Sequence, residues 1–372
     1  MEPVNNINSF IIGMATAYYA IMSYLMFATK NNGSTRLKKA LAWIFLYWTI
    51  SNAKDIILTF PEMYSQKNLD MIIVIDGWSA ITCMAFLYEL TRPGWITVKN
   101  IAKACIPFFI YTILYICFPT HRTIYFITAF LTLFGLYITI IGYRNSIAYM
   151  KHIRSYYSNI DDIDISWLRK VFLLAAAGLL CWLFTSIHGN ILTDILYYIA
   201  SVAIWQIVIH HCRKLKQVSI SDTDKNTSLQ AGATKQAPTQ EERKYSFDGM
   251  PEKLVEGEEL YLQPDLTLDD LAKKLNTNRT YLSSYFSNVI RKTFYDYINE
   301  LRITQRSIPL MKTHPDYTLE HIAQASGFNS LSTFRRAFKK ITGDTPSIYR
   351  ERKTNREQTE QDQEKNIRTW KI

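Results

Sequence analysis

Four polar or ionisable side chains lie inside long apolar stretches of this sequence, where an unpaired charge is costly. Asn52, Lys54 and Asp55 fall within one apolar stretch, and Asp76 falls within the next. Ionisable groups persist in such surroundings when they are paired, hydrated or used for binding. Adjacent antiparallel helices would bring Lys54 close to Asp76. We expect either a structural ion pair that fixes helix packing or a polar ligand pocket.

The other residue types that carry chemistry form no catalytic set. The sequence has no nucleophile paired with a general base, no phosphate-binding loop and no spacing typical of metal ligands. Its five cysteines all fall in the apolar half without paired spacing, which is typical of small core or lipid-facing residues. We therefore expect no enzyme, no catalytic residues, no metal and no cofactor.

The C-terminal part contains a pattern that repeats after about 51 residues. Each copy has apolar residues on one helix face, then a turn, then a second apolar helix face. Asn276 and Gly327 stand at the two turns and can take the left-handed conformation that ends a helix. The residues predicted to cap the four helices are Thr267, Asn278, Thr318 and Ser330. Two helix-turn-helix motifs in tandem are a strong indication of DNA binding.

The stretch between the motifs, at about 293–312, predicts a connecting helix. Such a helix can set the motifs apart so that each enters one of two successive major grooves, about 34 Å apart. Residues 268–353 hold fifteen Lys and Arg against eight Asp and Glu, a basic surface suited to phosphate. Pro309 lies within the connecting helix, where it removes a backbone hydrogen bond and predicts a kink.

The second motif ends with Phe338, Lys339, Lys340, Gly343, Thr345, Pro346, Tyr349 and Arg350. This ending is similar to the signature of the AraC/XylS family of transcription regulators, and the region from about 265 to 353 resembles that family. The resemblance covers about a quarter of the chain. Pro309 departs from the family pattern, which ordinarily continues a helical run there. The layout of the whole chain resembles the membrane-embedded members of the family.

The resemblance implies which side chains read DNA bases. The family's base-reading positions fall on Arg279, Thr280, Ser283 and Ser284 in the first recognition helix and on Leu331, Ser332, Arg335 and Arg336 in the second. Arginine can grip a guanine edge with two hydrogen bonds, whereas hydroxyls are adaptable, so the first helix should discriminate less sharply. The residues better placed for phosphate are Lys292, Lys339, Lys340 and Arg350.

The elements that carry these residues differ in character along the chain. Apolar segments lie at about 8–29, 40–60, 71–91, 104–118, 123–142, 171–189 and 191–212. Most are near the length of about 20 residues that crosses the hydrocarbon of a bilayer. The first has only Glu2 before it and is too long for a signal-peptide core, so we expect a retained helix.

Basic residues are distributed unequally over the loops between these segments. Alternate loops hold fifteen Lys and Arg on one side and two on the other. Because Lys and Arg are retained on the cytoplasmic side, the N-terminus is expected outside and the C-terminal half in the cytoplasm. The predicted location is the inner membrane of a bacterium, as a multi-pass protein.

The sequence therefore predicts an all-α fold, with a seven-helix transmembrane bundle followed by a cytoplasmic tandem helix-turn-helix DNA-binding domain. The expected boundaries are 1–216 for the membrane domain, 217–249 for a disordered linker, 250–353 for the DNA-binding domain and 354–372 for a charged tail. The linker is rich in small polar residues, and residues 251–260 predict a short acidic helix leading into the final domain.

The leading functional hypothesis is a one-component sensor that couples an external or bilayer signal to transcription. Its expected partners are double-stranded DNA, the lipid bilayer and an unidentified signal ligand, with RNA polymerase and a second copy of the chain as further candidates. The rival is a transporter or channel with a regulatory cytoplasmic domain, in which Lys54, Asp55 and Asp76 line a solute path. The sequence shows no inverted repeats or Gly- or Pro-broken helices, which disfavours the rival.

Overall fold

A computed structural model gives the fold, and it describes residues 2–29, 35–59, 65–188, 191–213, 215 and 247–352. Every regular element in these ranges is helical. The chain divides into two compact units. The N-terminal unit comprises Met1–Met150 and Asp162–Asp224, and the C-terminal unit comprises Lys151–Asp161 and Lys225–Ile372. The predicted tail 354–372 and the predicted linker 217–249, apart from its last residues, lie outside the described residues.

The described residues of the N-terminal unit form eight α-helices. They are α1 (Glu2–Ala28), α2 (Thr35–Ala53), α3 (Gln66–Asp76), α4 (Ser79–Thr91), α5 (Val98–Cys117), α6 (His121–Tyr156), α7 (Leu168–His188) and α8 (Ile191–Cys212). Helix α1 packs against α2 and α8, and α7 packs against α8. Aromatic rings pack between α2, α4 and α8, where the ring centre of Trp205 lies 5.2 Å from that of Phe45 and 5.8 Å from that of Phe86.

Two of the predicted apolar segments are not continuous α-helices. The second ends its α-helical part at Ala53 and continues as a 3₁₀ helix from Lys54 to Thr59. The third is divided into α3 and α4 at Gly77. A Cβ at Gly77 would lie 2.6 Å from the Tyr111 hydroxyl, so the close approach of α5 explains the glycine. The expectation of helices without glycine breaks is therefore wrong for the third segment.

Five apolar stretches of the described helices are long enough to cross a membrane. They are Ile7–Ala28, Gln66–Thr91, Val98–Cys117, His121–Tyr156 and Leu192–Cys212. Helices α2 and α7 stand at the other two predicted spans but are outside this set. In α2 the reason is the trio Arg36, Lys38 and Lys39 in its first turns. A bundle of seven spans stays a prediction.

The C-terminal unit carries its helices in the order expected from the repeat. They are α9 (Met250–Gly257), a 3₁₀ turn (Leu260–Leu262), α10 (Leu268–Lys274), α11 (Arg279–Tyr285), α12 (Phe294–Leu301), α13 (Ile308–Thr313), α14 (Leu319–Ala325) and α15 (Leu331–Thr342). Helices α10 and α11 form the first helix-turn-helix motif, and α14 and α15 form the second. The short acidic helix predicted at 251–260 is confirmed as α9.

Local side chains begin and end these helices as predicted. The side chains of Thr267, Asn278, Thr318 and Ser330 each accept a hydrogen bond from the backbone of the first turn they cap. Thr267 and Asp270 complete a reciprocal capping box. Asn276 has φ 50° and Gly327 has φ 82°, which confirms the left-handed residues expected at the two turns.

The connector between the motifs runs over the predicted range, but its middle is not α-helical. A π-helical stretch from Arg302 to Ser307 separates α12 from α13, and the Ile308 amide donates to the Ile303 carbonyl five residues back. Pro309 is the second residue of α13, directly after the π-helical stretch, and its nitrogen donates no hydrogen bond to the preceding turn. The irregularity that the sequence predicted as a kink at this proline is therefore a wide π turn just before it.

Two apolar cores support the two motifs. The first includes Leu268, Leu271, Leu282 and Phe286, all nearly inaccessible to solvent. The second core includes Ile322, Phe334 and Phe338, and Ile303 of the connector packs with them. Both motifs are therefore held by buried side chains of the connecting helix as well as by their own.

Gly327 offers a direct test of how the second motif is joined to its surroundings. A Cβ there would lie 2.7 Å from the Leu262 carbonyl oxygen, besides the strain of a positive φ. We expect Gly327→Ala to destabilise the C-terminal unit by about 2 kcal/mol or more. Gly343→Ala, at φ 84° but with nothing within 4 Å, is the matched control and should cost about 1 kcal/mol. Hydrogen exchange of core amides in the full chain measures the free energy of unfolding in both variants. Equal destabilisation by Gly327→Ala and Gly343→Ala would contradict the close contact between Gly327 and Leu262.

Candidate nucleic-acid interface

The predicted base-reading residues of the first motif lie along α11 with unequal exposure. Thr280 is exposed, and Ser283 and Ser284 are half-buried. Arg279 is largely shielded from solvent, since only 15% of its side chain is exposed. Its guanidinium is 3.1 Å from the Asp269 carboxylate and lies over the ring of Tyr156, 5.5 Å from the ring centre.

The second recognition helix, α15, presents a more accessible polar surface. Ser332, Arg335 and Arg336 are exposed, whereas Leu331 packs against the apolar core of the motif. Arg336 donates to the Thr333 hydroxyl at 3.2 Å and lies 4.0 Å from Asp161. Arg335 and Arg336 are thus adjacent and exposed, and base reading by them stays a prediction.

The residues predicted to contact phosphate are mostly exposed, and two of them already form ion pairs. Lys340 is 2.7 Å from Asp296, and Lys292 pairs with Glu300. Lys339 is exposed, and Arg350 is half-buried. Exposed ion pairs of this kind contribute little to stability, so a DNA phosphate can replace the carboxylate at small cost.

Arg302 is the organising residue that the sequence did not single out. It is 1% exposed, and its guanidinium donates to the carbonyls of Tyr261 at 2.6 Å and Gln263 at 2.7 Å. It also donates to the Asn299 side chain at 3.2 Å and lies over the Phe328 ring, 5.4 Å from its centre.

These contacts join parts of the unit that are distant in sequence. Tyr261 and Gln263 precede the first motif, Asn299 belongs to the connector, and Phe328 follows the turn of the second motif. Burial lowers the pKa of Arg302 to about 10, so the side chain stays charged at neutral pH. The sequence did contain one indication: Arg302 follows the buried Ile298 by four residues and so interrupts the apolar face of the connector.

Three of the four polar residues predicted in the apolar half, Lys54, Asp55 and Asp76, come together in the N-terminal unit. Lys54 Nζ lies 2.6 Å from Asp55 Oδ1 and 2.5 Å from Asp76 Oδ1. The Tyr198 hydroxyl donates to Asp55 Oδ2 at 2.6 Å, a partner that the sequence did not indicate. Asn52 is buried, and its amide nitrogen has no hydrogen-bond partner among the described residues.

A cavity of about 240 Å³ adjoins this polar cluster within the N-terminal unit. Its lining is mainly apolar, and Asp76 contributes the one carboxylate among the lining residues. Trp48, Trp182 and Trp205 form part of its wall. Asn52, Lys54 and Asp55 do not line it, so Asp76 is the one residue of the predicted four that faces this space.

Comparison with known proteins places the clearest similarity at the C-terminus. Residues 271–352 match a family model described as a helix-turn-helix domain. The chain is 34% identical over 92 residues to an uncharacterised HTH-type transcriptional regulator of Staphylococcus aureus (strain COL). It is also 34% identical over 91 residues to the uncharacterised HTH-type transcriptional regulator YtdP of Bacillus subtilis (strain 168).

These matches cover 25% and 24% of this chain and 12% of each relative's own length. They establish an AraC-type helix-turn-helix domain at the C-terminus, and they do not extend over the apolar half. No solved structure matches the chain significantly.

Removing the Arg302 side chain tests its organising role. We expect Arg302→Met to destabilise the C-terminal unit by about 3 kcal/mol or more, because several buried carbonyls lose their donor together. Arg302→Lys keeps the charge but loses the planar group of donors. Its stability should therefore lie between that of the wild type and that of Arg302→Met. Arg335→Met, at an exposed position, is the control and should change stability by less than about 0.5 kcal/mol. Urea unfolding followed by hydrogen exchange measures the three; a tolerated Arg302→Met would contradict the role.

Proposed function

We propose that the chain is a membrane-anchored, sequence-specific DNA-binding transcription regulator that couples a signal to transcription. The observation that carries the proposal is the pair of helix-turn-helix motifs, each with a capped recognition helix and polar or basic side chains along it. The similarity to proteins named as HTH-type transcriptional regulators supports the same conclusion.

The two recognition helices are suited to different parts of the task. In α15, Arg335 and Arg336 supply exposed guanidinium groups for direct base readout. In α11, most of the predicted positions carry hydroxyls, which adapt to several bases. We infer that the second motif sets most of the sequence preference, while Lys339 and its basic neighbours hold the phosphates and set the register.

Anchoring in a bacterial inner membrane is supported by the apolar half. Its helices carry large apolar side chains on their outer surfaces, for example Phe10, Phe126 and Leu133, each at least 67% exposed in the protein alone. A water-soluble protein seldom exposes this many large apolar side chains. Together with the unequal distribution of basic residues over the loops, this favours a bundle with its N-terminus outside and the helix-turn-helix domain in the cytoplasm.

The cavity beside Asp76 is the best-placed site for a signal molecule. Its apolar wall fits a small apolar ligand, and the Asp76 carboxylate offers one polar contact at its edge. Asp76 already shares Lys54 with Asp55, so a ligand with a cationic or donor group would compete with an existing ion pair. Such competition gives the differential binding that a two-state sensor needs.

The rival function, a transporter or channel with a regulatory domain, has one observation in its favour. The 3₁₀ helix at Lys54–Thr59 and the break at Gly77 lie beside the ionisable cluster, as in proteins that carry solutes through broken helices. Uptake measurements with membrane vesicles discriminate between the two, because a regulator moves no solute across the bilayer.

Single substitutions in the second motif distinguish base reading from phosphate binding. We expect Arg335→Ala to cost about 1–3 kcal/mol on the preferred duplex and to relax the preference at one base pair. Lys339→Ala should weaken binding to all duplexes alike and lower the slope of log affinity against log salt by about 0.9. Binding of selected and scrambled duplexes at several salt concentrations measures both. An unchanged preference in Arg335→Ala would remove this residue from the base-reading set.

Cysteine labelling in a variant without native cysteines tests the orientation. With an impermeant reagent on intact spheroplasts, we expect Gln66→Cys to react. Lys99→Cys and Lys273→Cys should react only after the inner membrane is opened, because their loops are predicted to be cytoplasmic. Labelling of Lys273→Cys on the intact membrane would contradict the proposed function outright.

A further inference from the structure

A short segment outside the helix-turn-helix domain belongs to the same compact unit and contacts it closely. This docking segment, residues 151–161, contains the last turns of α6 and the turn that follows. The Ser158 amide and hydroxyl both donate to the Leu266 carbonyl, at 3.2 and 2.6 Å. The Asn159 side chain donates to Asp265 at 2.9 Å.

The contact has the features of a packed interface. Ser158 is completely buried, and Ile160 is 1% exposed. The ring of Tyr156 packs against the core of the first motif. The segment also meets the buried Arg302, whose guanidinium lies 3.4 Å from the Ser158 hydroxyl. A chance contact of exposed loops would not bury backbone and side chains to this degree.

The docking segment reaches the residues that are predicted to read bases. Its Tyr156 ring lies against the Arg279 guanidinium at the start of α11. Its Asp161 carboxylate accepts a hydrogen bond from Thr333 in α15 and lies 4.0 Å from Arg336. The segment therefore contacts both recognition helices, in each case at an arginine that is predicted to read bases.

We propose that the docking segment is an intramolecular ligand of the recognition helices and competes with DNA for them. The proposal rests on the proposed DNA-binding function and adds its regulation. With the segment docked, Arg279 is stacked on Tyr156 and cannot extend into a groove. Asp161 holds a negative charge beside Arg336, where a DNA backbone would bring its own charge.

Competition of this kind sets the apparent affinity for DNA. A domain that is docked 99% of the time binds with an affinity roughly 100-fold below that of the free domain. Releasing the segment breaks its hydrogen bonds to Leu266, Asp265 and Thr333 and exposes the buried Ser158 and Ile160. A bias on the docked state therefore changes DNA occupancy strongly.

Helix α6 connects the docking segment directly to one of the predicted membrane spans. Helix α6 has 36 residues, a length of about 54 Å, whereas the hydrocarbon of a bilayer is about 30 Å thick. The predicted span at 123–142 therefore continues as one helix into the docking segment. A displacement of this span acts on the segment through a continuous helix, in addition to any effect through the linker 217–249.

The first test removes the charge at the contact in the full chain, reconstituted in lipid nanodiscs. Duplexes are selected from a random-sequence pool with the wild-type chain and with Asp161→Asn, and affinities are measured on the selected duplex. We expect Asp161→Asn to bind about 5- to 10-fold more tightly than the wild type. Asp162→Asn makes the same change of net charge at the exposed neighbouring position and should leave the affinity within about two-fold. Equal or weaker binding by Asp161→Asn would overturn the proposal.

The second test locks the segment in place by a covalent bond and keeps its contacts with Arg279 and Thr333. In a background free of native cysteines, Asn159→Cys and Asp265→Cys replace two side chains that are within hydrogen-bonding distance. We expect the oxidised, cross-linked chain to bind the selected duplex at least ten-fold more weakly than the same chain after reduction. Equal affinity in the two states, or failure to form the cross-link, would overturn the proposal.

The two tests distinguish a failure of the proposed DNA-binding function from a failure of the proposed competition. If the wild type, Asp161→Asn and the reduced cysteine variant all bind no duplex preferentially, the proposed function fails and the competition fails with it. If they bind a preferred duplex with affinities unaffected by the charge change and by the cross-link, only the competition is overturned.

Discussion

The buried guanidinium of Arg302 is the constraint on which the C-terminal unit depends. A charge at 1% exposure is stable only if its donors are satisfied, and here the acceptors are neutral oxygens supplied by segments distant in sequence. The chain before the first motif must therefore keep the 3₁₀ turn at Leu260–Leu262 that presents the carbonyls of Tyr261 and Gln263 to this group. The ring of Phe328 must stay beneath the same group. One side chain thus relates the first motif, the connector and the second motif.

The features that were predictable from sequence are those that depend on neighbours within a few residues. Caps such as Asn278 and left-handed turn residues such as Gly327 follow from hydroxyl, amide or glycine chemistry at a helix end. The order of the helices and the general range of the connector followed from apolar periodicity. The match of residues 271–352 to a helix-turn-helix family model agrees with that interpretation.

The features that were missed depend on partners far away in the chain. Asp161 and Ser158 stand in an unremarkable polar turn, and only the tertiary structure brings them to α15 and to Leu266. Gly77 marks a close approach of Tyr111 that no local pattern reveals. The pairing of Lys54 with Asp76 was accessible because both charges are conspicuous in apolar surroundings, whereas Tyr198, the partner of Asp55, resembles any other aromatic residue of the region.

The π-helical stretch at Arg302–Ser307 gives the connector an extra residue in one turn. Each residue of an α-helix turns the chain by about 100°, since 3.6 residues make one turn. An extra residue in a regular α-helix would rotate everything beyond it by about that angle, whereas the wider π turn accommodates the extra residue locally and leaves the helices on either side nearly in phase. The connector therefore holds one residue more than a regular α-helix of the same rotation, and α13 keeps the helical phase that α12 sets.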